Sequence, residues 1–443
     1  MKNMIDKTME IAKSLGINDL DVIISAQNSF SLKAEKGDLS EYKKANSHSL
    51  GVRVIVDQKV GTSFTEALDE DSIKRTLESA KKNSKYGKVN PHEKITAKGV
   101  DLNDVNAKAN VEFRPEVEEM IDKALYMEKG VLDKEPLADN APYNGVAEGE
   151  IHVVMGNSLG NRCEHKSRYY NCYTSALLKK DDKNAMHFHS DLKRDYRDLD
   201  FEGCIDESIE VAKHLLDAEQ IKTGKYDVMF KTDLFQNIFD SYSMMFSAKA
   251  VIDKRSPWRD NLGEMVASDK ITFIDNPLYK EGFSVTPFDS EGYLKQENTL
   301  VKNGKLEQFI HNSATASELG QENNFCASRS SKSPLGVGLS NFIIKEGTDS
   351  EESLKAKEYV EIIKAQGLHS GINAISGDFS LGVSGRTWKN GKVTGYFKDV
   401  TVNGNFYEML KSISFVGDKL HHSDDKTFFT PKIIFPSLSI AGN

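Results

Sequence analysis

Cysteine is scarce in this chain of 443 residues. Its four cysteines are too few and too scattered for a framework of disulfide bonds. Long apolar runs are lacking as well: the longest stretch without Asp, Glu, Lys or Arg covers 13 residues, 365–377, whereas a membrane-spanning helix needs about 20 apolar residues. Asp6 and Glu10 also lie where a signal peptide would have its apolar core. We therefore expect a reduced, cytoplasmic protein without a membrane segment.

Excess positive charge is the third feature that this sequence lacks. Lys and Arg number 58 against 67 Asp and Glu, which gives a formal net charge of −9. The two lysine-rich runs, 179–183 and 193–197, are both diluted by aspartates. Because an acidic chain repels phosphate backbones, we expect no direct binding of nucleic acid.

The first half of the chain predicts two successive helix–sheet–helix units. In the first, the strands are predicted at three runs, 21–33, 51–56 and 60–65. The helices of this unit are predicted before Gly16 and after Asp71, and the residues between 83 and 110 have the polar character of a surface connection.

The second unit repeats this order. A helix is predicted from Pro115 to Gly130, and a further helix before Gly224. The runs 151–155 and 168–178 predict strands that flank a turn at 156–161.

From residue 226 onward, short strand-like runs and hairpin turns dominate. Asn303-Gly304 and Asn390-Gly391 are favoured hairpin turns. Strands are predicted at 226–230, 271–274, 306–311, 339–344, 359–365, 393–400 and 432–435. Helices are predicted at 232–246, 313–319, 351–357 and 406–411. The sequence thus predicts an α+β fold, with an N-terminal helix–sheet–helix α/β domain over 1–222, a break within it near 83–112, and a large antiparallel β-rich domain over 223–443.

One serine motif resembles the nucleophile elbow of hydrolases. Gly156-Asn157-Ser158-Leu159-Gly160 fits the pattern G-x-S-x-G, but that chemistry needs a strand that leads into a helix. Because strand-like residues follow here, we interpret the segment as a turn between strands.

Two histidine pairs raise the question of a metal site. His187 and His189 share one face of an extended segment, yet zinc needs a third and usually a fourth ligand, and we prefer a solvated edge strand. His421 and His422 lie in a polar segment that we interpret as a loop, and His92 lacks the second histidine of a zincin helix.

Two glycine-containing segments remain as candidates. Asp289 and Glu291, beside Gly292, are a potential acid–base pair, although a charged β-turn is the preferred interpretation. The segment from Gly377 to Ser380 is glycine-rich but lacks the Lys-Ser/Thr ending of a phosphate-binding loop.

Six segments of the chain together resemble the TldD/PmbA family, formerly called modulators of DNA gyrase: 51–61, 157–160, 288–292, 300–309, 377–380 and 436–442. The resemblance extends over nearly the whole chain and follows the order of the segments along it. The family-motif positions, which we expect to face a peptide, are Asn157, Ser158, Gly160, Asp289, Glu291, Gly292, Gly377, Asp378 and Ser380. The resemblance implies an α+β N-terminal domain and a large β-rich C-terminal domain.

The two branches of this family differ in their metal ligands. The TldD branch resembles a zinc peptidase with His-Glu-x-x-x-His on a helix and a cysteine ligand near the C-terminus. The helix here, over 232–246, has no histidine, and the terminal segment 424–430 has no cysteine. The sequence therefore resembles the PmbA (TldE) branch, which implies neither a catalytic residue nor a cofactor in this subunit, and zinc in a TldD-type partner.

The resemblance implies a subunit of a TldD–TldE assembly that cleaves unfolded peptides, with roles in maturation of peptide antibiotics and degradation of antitoxins. We expect a heterodimer with a TldD-type subunit, or a homodimer, and an extended peptide as substrate. Two alternatives stay open. One is an independent hydrolase that uses a metal on His187 and His189, or Asp289 and Glu291 as acid and base; the other is a binding or scaffold protein without enzymatic activity.

Overall fold

The computed structural model describes residues 1–98 and 111–443, which form a seven-stranded, a ten-stranded and a two-stranded sheet with helices. Helices of the N-terminal half are α1 (Lys2–Ser14), α2 (Glu70–Ser84), α3 (Val117–Lys134) and α4 (Phe201–Leu216). Its strands are β1 (Asp19–Glu35), β2 (Asp38–Val56), β3 (Lys59–Thr65), β4 (Ala138–Asn140), β5 (Gly145–Asn157), β6 (Arg162–Lys180) and β7 (Lys183–Lys193).

These seven strands form one antiparallel sheet. Its order is β3-β2-β1-β5-β6-β4, and β7 pairs with the other edge of β6. Side chains alternate between the two faces of a strand. Val22 and Val154 pack against α1 and α2 on one face, whereas Ile23 and Met155 pack against Phe288 of the C-terminal half on the other. The sheet therefore carries helices on one side and the C-terminal half on the other.

The second half begins with β8 and contains the larger core. Its helices are α5 (Thr232–Tyr242), α6 (Ala248–Ile252), α7 (Ser313–Leu319), α8 (Glu351–Lys355) and α9 (Phe406–Lys411). Its strands are β8 (Gly224–Phe230), β9 (Phe273–Asp275), β10 (Asn298–Lys302), β11 (Lys305–Leu306), β12 (Ala327–Ser328), β13 (Gly336–Val337), β14 (Phe342–Ile344), β15 (Glu358–Gln366), β16 (Asp378–Lys389), β17 (Lys392–Asn405), β18 (Phe415–His422) and β19 (Phe428–Ala441).

Five of these strands form a closed ring of paired strands. β8, β15, β16 and β17 pair in this order, and β19 pairs with both β17 and β8. Most pairs are antiparallel; β8–β15 and β14–β19 are parallel. The aromatic side chains of α5, such as Phe235 and Phe239, pack in the core beside this ring. The α+β class with antiparallel sheets is therefore confirmed.

Several predicted elements match the structure. Asn303-Gly304 and Asn390-Gly391 both adopt the left-handed conformation that a two-residue hairpin of this kind requires. The turn between β5 and β6 also lies where it was predicted, so the G-x-S-x-G segment joins two strands and no helix follows it. Among the described residues, no helix combines the length and apolarity needed to cross a membrane.

Other predictions are wrong. Gly130 does not end a helix but lies within α3, where an added Cβ would be 2.6 Å from Ile205 Cδ1, so it permits close packing of α3 and α4. Pro115 lies before the N-cap Glu116 instead of at the first helical position. Most of the run 306–311 is not a strand, and its residues Phe309 and Ile310 are buried without regular pairing.

Three more corrections bear on candidate residues. His421 and His422 end strand β18 and do not lie in a loop. Asp378 to Ser380 begins β16, a strand that the sequence analysis did not assign. The connection after α2 is not confined to the surface, because Ala97 is fully buried; the rest of that predicted connection, 99–110, lies outside the described residues.

Candidate functional site

The turn between β5 and β6 contacts the C-terminal half of the chain. Asn157 shapes the turn, since its Oδ1 accepts a hydrogen bond from the Asn161 backbone N–H at 3.1 Å. Ser158 Oγ accepts a hydrogen bond from the Leu20 backbone N–H at 3.3 Å. Asn161 Nδ2 then donates to the Gly292 carbonyl oxygen at 2.9 Å. The structure therefore brings together two of the three motif segments that are far apart in sequence.

Asp289 organises the second of these segments. Its Oδ1 accepts hydrogen bonds from the backbone N–H groups of Glu291, Gly292 and Tyr293, at 3.0, 2.9 and 3.0 Å. Gly292 has a φ of +94°, and an added Cβ would lie 2.2 Å from Asn161 Nδ2, so both conformation and space favour glycine there. The second carboxylate oxygen, Oδ2, is buried and has no hydrogen-bond partner among the described residues.

The segment is a β-turn, as predicted, because the Gly292 backbone N–H donates to the Asp289 carbonyl oxygen at 3.0 Å, but its carboxylates are buried. The exposed fractions of Asp289 and Glu291 are 1% and 4%. Burial raises the pKa of Asp289 to about 6, although the backbone N–H groups and Lys295 oppose this rise. Burial, followed by repulsion from Asp289, raises the pKa of Glu291 to about 7, while Arg53 acts in the opposite direction.

Glu291 faces a buried cluster of charges between the N-terminal sheet and the C-terminal half. Arg53 Nε lies 2.7 Å from Asp21 Oδ2, and Arg53 Nη1 lies 2.9 Å from Glu93 Oε2. Arg53 Nη2 lies 4.0 Å from Glu291 Oε1, and Arg329 forms an ion pair with Asp21. Because each charge has an opposite partner, the group can be buried, and it joins β1 and β2 to the C-terminal half.

Asp21, Arg53 and Arg329 were not predicted as site residues from the sequence. One signal was present: Arg53 interrupts the apolar run 51–56, and alternation places it on the face opposite Val52 and Val54. Nothing in the sequence indicated which acids would pair with it.

A cavity of about 250 Å³ lies beside this cluster. Ile23, Met155 and Phe288 provide apolar walls, and Asp289, Lys295 and Arg329 are among its polar lining residues. Its lining is mixed, with five apolar and nine polar or charged residues, so an apolar surface lies beside many groups that can form hydrogen bonds.

The third motif segment lies elsewhere, against α9. Gly377 accepts hydrogen bonds at its carbonyl oxygen from the Phe406 backbone N–H at 2.8 Å and from the Tyr242 hydroxyl at 3.1 Å. Asp378 is exposed, and its carboxylate accepts from Asn405 Nδ2 at 2.9 Å. Asp378 and Ser380 line an open groove of about 740 Å³, which shares no lining residue with the cavity of about 250 Å³ beside Asp289.

His187 and His189 lie on β7, which is extended as predicted. Burial lowers the pKa of His187 to about 3 and also lowers the pKa of His189. Among the described residues β7 pairs only with β6, so it is an edge strand as predicted, but His187 on it is half-buried and not fully solvated. His189 Nδ1 lies 3.6 Å from Glu207 Oε1, and Glu207 pairs with Lys231 of the C-terminal half.

No three His, Cys, Asp or Glu side chains lie together so as to hold a metal ion within residues 1–98 and 111–443. The alternative that His187 and His189 bind a metal stays a prediction.

Helix α5 and the terminal segment meet, as the resemblance implied. Gln236 Nε2 donates to Asp425 Oδ2 at 3.0 Å and to Thr427 Oγ1 at 2.9 Å. The Asp424 backbone N–H donates to Asp233 Oδ1 at 2.6 Å. Burial, with repulsion from Asp233 next, raises the pKa of Asp424 to about 7. This junction thus consists of carboxylates, an amide and hydroxyl groups.

Fold and site together define an α+β chain with buried carboxylates between its two halves, and comparison with known proteins identifies the family. Models of PmbA/TldA metallopeptidase domain 1, central domain and C-terminal domain match residues 20–84, 112–216 and 223–442, in this order. The chain belongs to the PmbA/TldD metallopeptidase family.

Three of the similar proteins match this chain over nearly their whole length. A metalloprotease PmbA homologue from Haemophilus influenzae is 25% identical, over 100% of this chain and 96% of its own length. A modulator of DNA gyrase structure from Thermotoga maritima has 26% identity and a TM-score of 0.87, and the match covers 99% of each chain. The crystal structure of TldE from Thermococcus kodakarensis, at 20% identity, shares the fold with a TM-score of 0.83 over 100% of both chains.

Proposed function

We propose that this chain is a PmbA/TldE-type subunit that holds no zinc and works with a TldD-type zinc subunit to cleave unfolded peptides. The observation that carries the proposal is the chemistry of the junction between α5 and the terminal segment. In the TldD branch, the corresponding helix and terminal segment supply histidines and a cysteine. Here the contacts are made by Asp233, Gln236 and Asp425.

The junction does not fit a catalytic zinc ion. Such an ion needs three ordered protein ligands, most often including histidine, and an open position for water. Asp425 instead accepts hydrogen bonds from Ser423 Oγ at 2.6 Å and from Thr427 Oγ1 at 2.9 Å, besides the amide of Gln236. Its carboxylate is therefore occupied within an internal network of hydrogen bonds.

A subunit without zinc can still help to bind an extended peptide. β2 pairs with β1 along its whole length, but β3 covers only the part of its other edge from Leu50 to Val56. The remainder of this edge has no strand partner among the described residues. An extended peptide can add to such an edge through main-chain hydrogen bonds. We therefore assign this chain a role in substrate binding and in enclosing the cleavage site of the assembly. The assembly is a heterodimer with the TldD-type subunit or, without that subunit, a homodimer.

The test is reconstitution of peptide hydrolysis. The chain is purified without added metal and assayed on an unstructured peptide, alone and with a TldD-type partner from the same genome. We expect no hydrolysis by the chain alone and hydrolysis by the pair. A chelator should abolish the activity of the pair, and added zinc should restore it. Hydrolysis by the chain alone that is sensitive to chelator would show that the zinc is its own.

A further inference from the structure

The cavity between the N-terminal sheet and the C-terminal half contains buried polar atoms without partners. Asp289 Oδ2 and Arg329 Nε are both buried and have no hydrogen-bond partner among the described residues. The residue Asp289 and the side chain of Arg329 are each 1% exposed. Both residues line the cavity. Because buried polar groups are normally hydrogen-bonded, these two atoms indicate a site that is built to pair with a ligand.

The polar lining presents both signs of charge. The carboxylate of Asp289 offers an acceptor, and its other oxygen is already held by three backbone N–H groups, so its orientation is fixed. Arg329 is fixed through its ion pair with Asp21, which leaves its Nε–H as a donor. Lys295 adds a second cation, held by a hydrogen bond of 2.9 Å from Nζ to Ser340 Oγ. A matching ligand carries a nitrogen donor and an anionic acceptor.

The remaining lining restricts the size and character of the ligand. Ile23, Met155 and Phe288 are nearly fully buried and form an apolar surface beside the polar groups. Pockets for drug-sized ligands have volumes of about 300–1,000 Å³. The volume of about 250 Å³ here thus suits one residue of a peptide.

We propose that this cavity binds an apolar amino-acid residue with a free α-carboxylate, either a free amino acid or the last residue of a peptide product. The carboxylate pairs with Lys295 and Arg329 Nε–H, the α-nitrogen donates to Asp289 Oδ2, and the side chain packs on the apolar wall. The inference rests on the proposed function, because peptide cleavage is the source of such carboxylates. Its test needs neither zinc nor a partner, so the two can fail separately.

The test is isothermal titration calorimetry on the full chain with L-leucine, glycyl-L-leucine and L-leucinamide. We expect saturable 1:1 binding of leucine or glycyl-leucine, and binding of leucinamide weaker by about tenfold or more, because it lacks the carboxylate. Tighter binding of glycyl-leucine assigns the site to peptide ends, and tighter binding of leucine assigns it to free amino acids. Absence of binding by both, or equal binding of leucinamide, overturns the proposal.

Two variants locate the binding in this cavity. Asp289→Asn keeps the oxygen that holds the turn and replaces Oδ2 with a donor, and Ser25→Leu fills the cavity from β1. Each should weaken binding by about tenfold or more, since each removes a contact or the space. Ser31→Leu, on the same strand but outside the cavity, is the control and should bind as the wild type does. If Ser25→Leu folds and binds unchanged, the proposal is wrong, whatever the behaviour of Asp289→Asn.

Discussion

At the scale of single residues, the structure depends on a few buried charges that hold two halves of the chain together. Arg53 contacts acids from three separate segments, Asp21, Glu93 and Glu291. The acids would be costly to bury alone, and their burial is possible because the arginine lies between them. Single substitutions in this cluster therefore test how much it stabilises the contact between the N-terminal sheet and the C-terminal half.

Replacement of Arg53 by methionine should destabilise the protein strongly. Methionine fills a similar volume but leaves Glu291 without its cation and Asp21 with only Arg329 as a partner. Removal of one partner from a buried pair costs about 3–5 kcal/mol. Urea denaturation at neutral pH measures the change in the free energy of unfolding. Arg259→Met is the control, because Arg259 and Asp260 form an exposed pair, and we expect no measurable change there. Equal effects in both variants would show that the cluster has no special role.

Glu291 should make stability depend on pH. Its pKa is about 7 in the folded chain, against 4.5 as its ordinary value. Between these values the folded state binds more protons than the unfolded state, so this contribution is complete below about pH 4.5 and is lost as the pH rises to about 7. The loss is about 3 kcal/mol at most.

The measurement compares wild type with Glu291→Gln, which stays neutral and keeps an oxygen to accept from the Ser313 backbone N–H. Urea denaturation at about pH 5 and about pH 8 should show that the wild type loses stability relative to the variant at the higher pH. Glu78→Gln, on the exposed face of α2, should show no such difference. A constant difference between wild type and Glu291→Gln would contradict the raised pKa.

At the scale of elements, β2 approaches the C-terminal half more closely than a side chain would allow. A Cβ added to Gly51 would lie 1.8 Å from the Ser331 carbonyl oxygen. Two residues before it, Ser49 Oγ and Ser331 Oγ are 2.6 Å apart. The glycine therefore permits direct contact between the backbones of the strand and of the segment that follows β12.

Gly51→Ala should separate these two elements. Because the clash involves backbone atoms that cannot rotate away, we expect a loss of about 3 kcal/mol in the free energy of unfolding, at the upper end of the range for overpacking. Thermal or urea denaturation measures it. Gly382→Ala on β16 is the matched control, since its added Cβ would meet its nearest neighbour at an ordinary 4.0 Å. An unchanged stability of Gly51→Ala would mean that the contact between β2 and Ser331 is not tight in solution.

Elements with local signals were predicted well, and elements set by distant contacts were not. α7 and α9 follow Asn312 and Asn405, whose side chains cap them, and the predicted bounds were the same as the observed ones. β16 was missed because its glycines are unfavourable in strands; Gly385 lies there because an added Cβ would be 2.1 Å from the Glu361 carbonyl oxygen.

The candidate site follows the same rule. The motif segments at Asn157 and Asp289 were identified in the sequence, but their contact through Asn161 and Gly292 could not be, because 131 residues separate these partners. The burial of Asp289 was also unpredictable, since the same residues form solvated turns elsewhere. The sequence indicates which conformation these residues prefer. Whether Asp289 is buried depends on how the two halves of the chain pack against each other.

At the scale of the whole molecule, the N-terminal sheet and the C-terminal half have separate cores, and the cavity lies between them. The chain shares this architecture with its relatives from end to end. We proposed that the partner subunit holds the zinc while this chain binds substrate, and two observations support this. The fold is that of the metallopeptidase family, while the junction of α5 with the terminal segment lacks histidine and cysteine.

The zinc content of the purified chain decides whether this subunit holds the catalytic metal itself. The chain is expressed in zinc-containing medium, purified without chelator or added metal, and analysed by inductively coupled plasma mass spectrometry, with a TldD-type partner prepared in parallel. The account predicts substoichiometric zinc in this chain and about one zinc ion per partner subunit, as expected for a single catalytic site. One zinc ion per copy of this chain alone, together with peptide hydrolysis, would contradict it.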